Sequence, residues 1–326
     1  MSTTKNEPIF YGGQALIEGV MMRGKTAYTL AVRRPDGEIE VIDKPLSNAS
    51  QRSRILKWPI IRGVVAFGSS MGVGFKALAQ SADIAMQDDT PPTSRIEIFF
   101  KEKLGDRLND VVLTIGMVFA VIFALGVFML LPTWLGSLIG PDANPWVGVI
   151  EGLIRIVIFV LYVFLISRSK DIQRVFQYHG AEHKAINCHE QALPLTTENV
   201  DSCSRLHKRC GTSFLLVVMI ISMLLFMVIR IESVWLRFGS RIVLLPLIAG
   251  LAYEVSVKWA GKRNNFLVKA IIVPGMALQR MTTAEPDEQQ IEVAVTALER
   301  VLEQEQGVRE NAELIQENAE TPGNVI

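Results

Sequence analysis

Neither sign of charge is in excess in this sequence: 33 Lys+Arg stand against 33 Asp+Glu in 326 residues, which argues against a strongly basic nucleic-acid binder. Cysteine is scarce. Three residues with no C-x-x-C cannot found a disulfide framework. No P-loop and no G-x-G-x-x-G occurs, so nothing points to a phosphate cradle for a nucleotide. The opening MSTTKNEPIFYGG has neither a charged n-region nor an apolar h-region, so no signal peptide is expected and the N-terminus is expected to stay cytoplasmic. Apolar residues are plentiful: 49% of the chain is hydrophobic and the mean hydropathy is +0.29. They gather in a few long runs, the pattern of a membrane protein. The balanced charge hides an asymmetry. From Glu285 onward eleven acids face only Arg300 and Arg309, so the tail is acidic and the body basic.

Crossing a hydrocarbon core takes about 20 mostly apolar residues. Four stretches qualify or nearly so: Val111 to Leu131, Trp146 to Ser167, Ser213 to Ile229 and Arg241 to Ala260. The expected architecture is an α-helical membrane protein with about four transmembrane helices in two hairpins (111–167 and 213–260). The connector Pro132 to Pro145 has no Lys or Arg, Arg168 to Gly211 has seven, and Lys258, Lys262, Arg263 and Lys269 gather at the end of the fourth stretch. Positive-inside reasoning then places both termini and the 168–212 loop in the cytoplasm of a multi-pass membrane protein. The connector 230–240, with Arg230 and Arg237, fits this least well. Phe266 to Leu278 is too short to span and holds Lys269 and Pro274, so it reads as interfacial or re-entrant. Glu151, Arg155 and Glu254 fall at membrane depth; Glu151 and Arg155, at i,i+4, can pair with each other.

Residues 1–86 read as a cytoplasmic module. AYTLAVRR and EIEVIDKPL flank Pro35-Asp36-Gly37, a β-hairpin signal, and GGQALIEGVMMRG precedes them. Trp58 to Met86 is half apolar and rich in small residues, suited to packing on spans through its glycines. Residues 87–110 read as a linker and amphipathic helix. In 261–326, beyond the interfacial piece, an amphipathic helix enters at Pro286 with Ile291, Val295, Leu298, Val301 and Leu302 in phase. That stripe needs a partner surface: the hairpin module, another subunit or a cytoplasmic protein. Past Glu305 nothing periodic remains and disorder is expected.

All four histidines and all three cysteines fall within 179–210. His179-Gly-Ala-Glu182-His183 reads H-x-x-E-H. At about 100° per residue, both imidazoles and the carboxylate share one helix face, the inverted zincin arrangement in which two histidines hold a metal and the glutamate activates water. Glu190 is about 10.5 Å along the axis from His183, too far for the same ion. The second cluster, Cys203-x-x-x-His207-x-x-Cys210, also makes one face if helical. Imidazoles and thiolates in a reducing compartment favour Zn²⁺, with iron second.

The stretches YGGQALIEGVMMRG, FQYHGAEHKAINCHE, SRLHKRCGTSF and MTTAEPDEQQIEVA resemble, in order and across nearly the full length, the YqhQ family of bacterial multi-pass membrane proteins of unknown function. The resemblance implies a metal-dependent enzyme that is multi-pass in the bacterial inner membrane. It covers His179, Glu182, His183, Cys188, His207 and Cys210, leaves Cys203 outside, and has His189 where a tyrosine is common. It therefore implies His179, His183, His207 and Cys210 as metal ligands, or three of them with an open position, and Glu182 as the catalytic residue. Four protein ligands would make a closed structural site; three plus water permit hydrolysis. Two functions stay open: a zinc hydrolase at the cytoplasmic membrane face, or a non-catalytic scaffold or assembly factor stapled by zinc. The expected partners are the lipid bilayer and either a cytoplasmic protein or a second copy of the chain, not nucleic acid.

Overall fold

The structure is a computed structural model that describes residues 11–46, 55–86, 108–139, 145–229, 231, 233–259 and 266–320. Four antiparallel strands come first: β1 Gly12–Leu16, β2 Gly19–Arg23, β3 Ala27–Arg33 and β4 Ile39–Pro45, in spatial order β1-β2-β3-β4. The β3–β4 turn lies at Pro35-Asp36-Gly37, with Gly37 at φ 90°. GGQALIEGVMMRG, which carried no strand assignment, supplies β1 and β2, with Leu16 opposite Gly19 and Glu18 at φ 51° in the tight turn.

Period-two alternation gives the sheet two buried faces. Val20, Met22 and Ala31 join Tyr178, Ala181, Ile291, Ala294 and Leu298 in one core, while Leu16, Met21, Tyr28 and Leu30 pack with Ala77 in another. The first core is covered by α5 (Lys170–Glu190) and α10 (Glu288–Glu320), the second by α1 (Ile61–Ala85). The Glu305 carboxylate locks α10 to the sheet by accepting the Thr26 N–H at 2.6 Å and its hydroxyl at 2.9 Å. Beyond Glu305 the helix runs on to Glu320, where disorder was expected. The continuation is rich in Glu, Gln and Ala, strong helix formers, so an anchored helix propagates there without periodic apolar burial. Residues 321–326 and most of the expected linker, 87–107, lie outside the described residues.

Among the described residues four helices are long and apolar enough to cross a membrane: Thr114–Ile139, Trp146–Ile166, Gly211–Val228 and Trp235–Ser256. The first comprises α2 (Leu108–Leu125), a π-helical turn Gly126–Leu130 and α3 (Leu131–Ile139); the second is α4 (Pro145–Ile166) and the third α7 (Gly211–Val228). The fourth comprises α8 (Val234–Tyr253) and a π-helical turn Glu254–Trp259. The short α6 (Thr197–Ser202) precedes α7, and α9 (Phe266–Thr282) follows the fourth span. Glycines set the closest approaches. Gly148 and Gly152 of α4 meet Met227 and Met223 of α7, and Gly63 of α1 meets Gly250 and Tyr253 of α8.

Two sequence expectations are corrected in the bundle. The fourth candidate begins at Trp235, not Arg241, so Arg237 lies inside the helix and not in a connector. Among the described residues Glu151 pairs not with Arg155 but across the bundle, with Arg237 at 3.1 Å and with Arg241. These pairs let two arginines sit in an apolar helix, since a charge at this depth is tolerated when it faces the bundle interior and finds a partner. The first candidate continues to Ile139, past Pro132. Proline has no N–H for the carbonyl four residues back, and Arg155 Nε donates to that carbonyl, of Phe128, at 2.8 Å.

Candidate metal centre

The chain leaves the second candidate span at Ile166 and enters α5 at Lys170, so H-x-x-E-H begins thirteen residues beyond that span, at the tenth residue of α5. His179 and His183 stand one turn apart with ring centroids 4.4 Å from each other. Each Nδ1 meets a backbone carbonyl: Thr282 O at 2.8 Å for His179 and Arg205 O at 2.6 Å for His183. A carbonyl can only accept. In the neutral rings Nδ1 therefore carries the proton and the Nε2 lone pair is left for a ligand, the usual orientation of metal-binding histidine. Thr282 ends α9, so its carbonyl belongs to the last turn, whose acceptors have no intrahelical donor. Arg205 is held by its own side chain, which donates to Thr283 O at 2.7 Å and pairs with Glu285 at 3.2 Å.

Cys210 completes the cluster. It is the N-cap of α7, its Sγ lies 3.3 Å from His179 Nε2, and the ligand atoms of His179, His183 and Cys210 all lie within 4.8 Å of one another. Tetrahedral zinc with bonds of about 2.05 Å to nitrogen and 2.3 Å to sulfur separates such atoms by about 3.5 Å. The three donors could hold a metal ion, and zinc geometry would ask the widest pair to close by up to about 1.3 Å.

The segment 203–210 is not a helix, contrary to the single-face reading. Cys203 caps the end of α6, and the loop after it turns the two cysteines apart. Cys203 and Cys188 are buried in the core beneath the sheet. His207 stays beside the cluster, its ring 5.7 Å from that of His183, and it is not among the three converging donors. Gln279 grips its backbone with two hydrogen bonds of 2.9 Å, and Glu190 lies 3.5 Å from its Nε2. Burial depresses the His207 pKa below the usual imidazole value. His189 packs edge-on against Tyr11 instead.

Glu182 is 4% exposed, with Oε2 3.5 Å from His183 Nε2. It accepts the Gly13 N–H, and burial is the largest influence raising its pKa. A Cβ on Gly13 would stand 2.6 Å from Glu182 Cγ and 2.8 Å from Met21 O, so only glycine admits this approach. Glu18, in the β1–β2 turn, pairs with Arg174 of α5 and fixes the hairpin to the helix that carries the site. Sequence reasoning singled out the glycine-rich stretch without seeing this role. The two carbonyls that set the imidazoles left no sequence signal, because every residue has one.

No solved structure matches the chain. A relative described as "Uncharacterized protein YqhQ", from Bacillus subtilis (strain 168), is 37% identical over 297 residues, covering 90% of this chain and 93% of the relative. Residues 58–304 match the family described as "Protein of unknown function (DUF1385)". That stretch holds all three converging donors and Glu182, though not Gly13. The match takes in well over half of the sequence, and the chain belongs to the DUF1385 family.

Proposed function

We propose that the protein is a membrane-anchored zinc hydrolase in which His179, His183 and Cys210 hold the metal and Glu182 is the general base. The observation that carries this reading is the convergence of three donors, both histidines with Nε2 free of the Nδ1–carbonyl bonds, beside a carboxylate that is not one of the three. Three protein ligands leave a fourth position open, as in catalytic zinc sites. Zinc held there would polarise a carbonyl and activate water. Glu182 would take the proton of the attacking water at Oε2 and pass it to the leaving group. The Gly13 N–H keeps that carboxylate oriented. The substrate class is an amide or ester reached from the membrane surface, such as a peptide or a lipid-linked compound. The basic 168–211 segment supports a cytoplasmic position for the site in a bacterial inner membrane. Cysteines placed at exposed Glu198 and Leu138 should then be labelled from the cytoplasmic and the outer side respectively; the reverse pattern would defeat this orientation.

One observation favours a second reading, a scaffold stapled by structural zinc. Glu182 and His183 are both buried, at 4% and 1% exposure, and Glu182 ties β1 to α5. Glu182→Gln separates the two, scored for zinc content, melting temperature and complementation of a deletion strain. The hydrolase reading expects zinc and melting temperature to hold while activity falls about 100-fold or more. Full complementation with zinc and stability intact would end it in favour of the scaffold.

A further inference from the structure

The second polar centre of the molecule lies inside the bundle and draws on all four candidate spans. The first gives the Phe128 carbonyl and Thr133, the second Glu151 and Arg155, the third Ser222 and Phe226, and the fourth Arg237 and Arg241. Among the described residues three guanidiniums here lie near one carboxylate, which pairs with Arg237 and Arg241 and not with Arg155. All four charged side chains are at least nine-tenths buried. The first and third spans contain no charged residue. Glu254, the remaining acid of the fourth, lies thirteen residues beyond Arg241, about 20 Å along a helix, and is engaged by Arg62 at 2.5 Å.

Arg155 is the most telling member. Its Nε donates to Phe128 O at 2.8 Å and its Nη1 to Ser222 Oγ at 3.0 Å, yet Nη2, equally buried, has no hydrogen-bond partner among the described residues. The guanidinium lies over the Phe226 ring, 5.4 Å from its centroid, and that of Arg241 lies 4.8 Å from the same centroid. Arg155 is therefore oriented by two bonds and stacked beside a second arginine, with one donor left over. The π-helical turn Gly126–Leu130 and Pro132 release the carbonyl that orients it, and such turns collect at functional positions in helices. At 1.5 Å per residue the arginines descend from the end remote from α5: Arg237 about 3 Å and Arg241 about 9 Å below Trp235, and Arg155 about 14 Å below Trp146. They lie at increasing depth from that end of the bundle.

We propose that this cluster binds a phosphate-class anion, which Arg155 Nη2 meets at the inner end. Guanidinium forks match the geometry of phosphate oxygens, and an anion would accept from the Nη2 that Arg155 leaves over. The chemistry is shared by an anionic phospholipid headgroup and by free phosphate.

The test uses the full chain, purified in detergent and stripped of lipid. Inorganic phosphate is titrated in one arm. In the other, the chain is reconstituted into phosphatidylcholine vesicles with or without phosphatidylglycerol, and bound lipid is counted after re-extraction. Saturable binding of about one anion per chain is expected in one arm. Phosphate binding in detergent identifies a free-anion site, and retention of phosphatidylglycerol alone identifies a headgroup site. Arg155→Lys keeps the charge and removes the fork, and it should weaken binding about tenfold. Lys170→Gln, which removes an exposed charge at the start of α5, should leave it unchanged. Wild-type protein that binds neither probe overturns the proposal without reference to any variant. So does Arg155→Lys binding like wild type, or Lys170→Gln weakening binding equally, which would mean surface attraction only.

Discussion

The two polar centres solve the same problem in different surroundings. At the candidate metal centre every imidazole is aimed by a backbone carbonyl from a loop or helix end, Thr282 and Arg205. In the bundle, among the described residues, no loop lends a carbonyl to Arg155. There a π-helical turn and a proline free the Phe128 carbonyl from within a helix, and Arg155 takes it. The extramembrane centre gathers neutral or ionisable donors with room for a cation. The bundle gathers arginines, one of which, Arg155, keeps a buried Nη2 without a hydrogen-bond partner among the described residues. An irregular backbone is what aims the side chain in both.

The comparison can be broken at several points. His183→Ala should have the largest effect, taking zinc from about one per chain to none on metal analysis, because the cluster loses a donor that no neighbour replaces. If the centres are independent, anion binding in the bundle should survive this change. Glu151→Ala is the counterpart. It leaves Arg237 and Arg241 without their common carboxylate and should cost about 3–5 kcal/mol of stability, as loss of one partner of a buried ion pair does. Thermal unfolding in detergent would show it, while zinc per folded chain should not change. A paired test follows from two glycines. A Cβ on Gly13 would run into Glu182, and one on Gly136 would run into Glu151. Gly13→Ala and Gly136→Ala should each cost about 1–3 kcal/mol through overpacking, with zinc affinity lowered only by the first. Cys203→Ser should leave zinc unchanged and cost about 1 kcal/mol, a buried hydroxyl replacing a small apolar group. Zinc lost in Cys203→Ser but kept in Cys210→Ser would reverse the assignment of the second cluster. Ending the chain after Val308 should move the melting temperature least, because the last anchoring contact described on α10 is Glu305 with Thr26.

The spans were legible because a bilayer demands about 20 apolar residues in a row, and the turn at Pro35-Asp36-Gly37 was legible because proline and glycine restrict the backbone there. The facing of His179, Glu182 and His183 was legible from helical periodicity alone. What failed had tertiary causes. Arg237 read as connector because its acceptance into a helix depends on Glu151, eighty-six residues away. Glu151 read as the partner of Arg155 because i,i+4 spacing shows proximity but cannot show that the Phe128 carbonyl is the closer acceptor. Cys203 and Cys210 shared a face only on a helix that the loop before α7 does not form.

The order in which the ribosome delivers these parts has a consequence for assembly. His179 and His183 emerge before Cys210, and the Thr282 carbonyl that orients His179 comes only after the fourth span. The closing bond of the module joins Thr26 to Glu305, 279 residues apart in the chain. The donor cluster therefore cannot reach its final geometry until the fourth candidate span and the helix after it have been made. Its completion reports that the segments on both sides of the last candidate spans have met, and the Thr26–Glu305 bond separately reports the return of the C-terminal helix to the first strands.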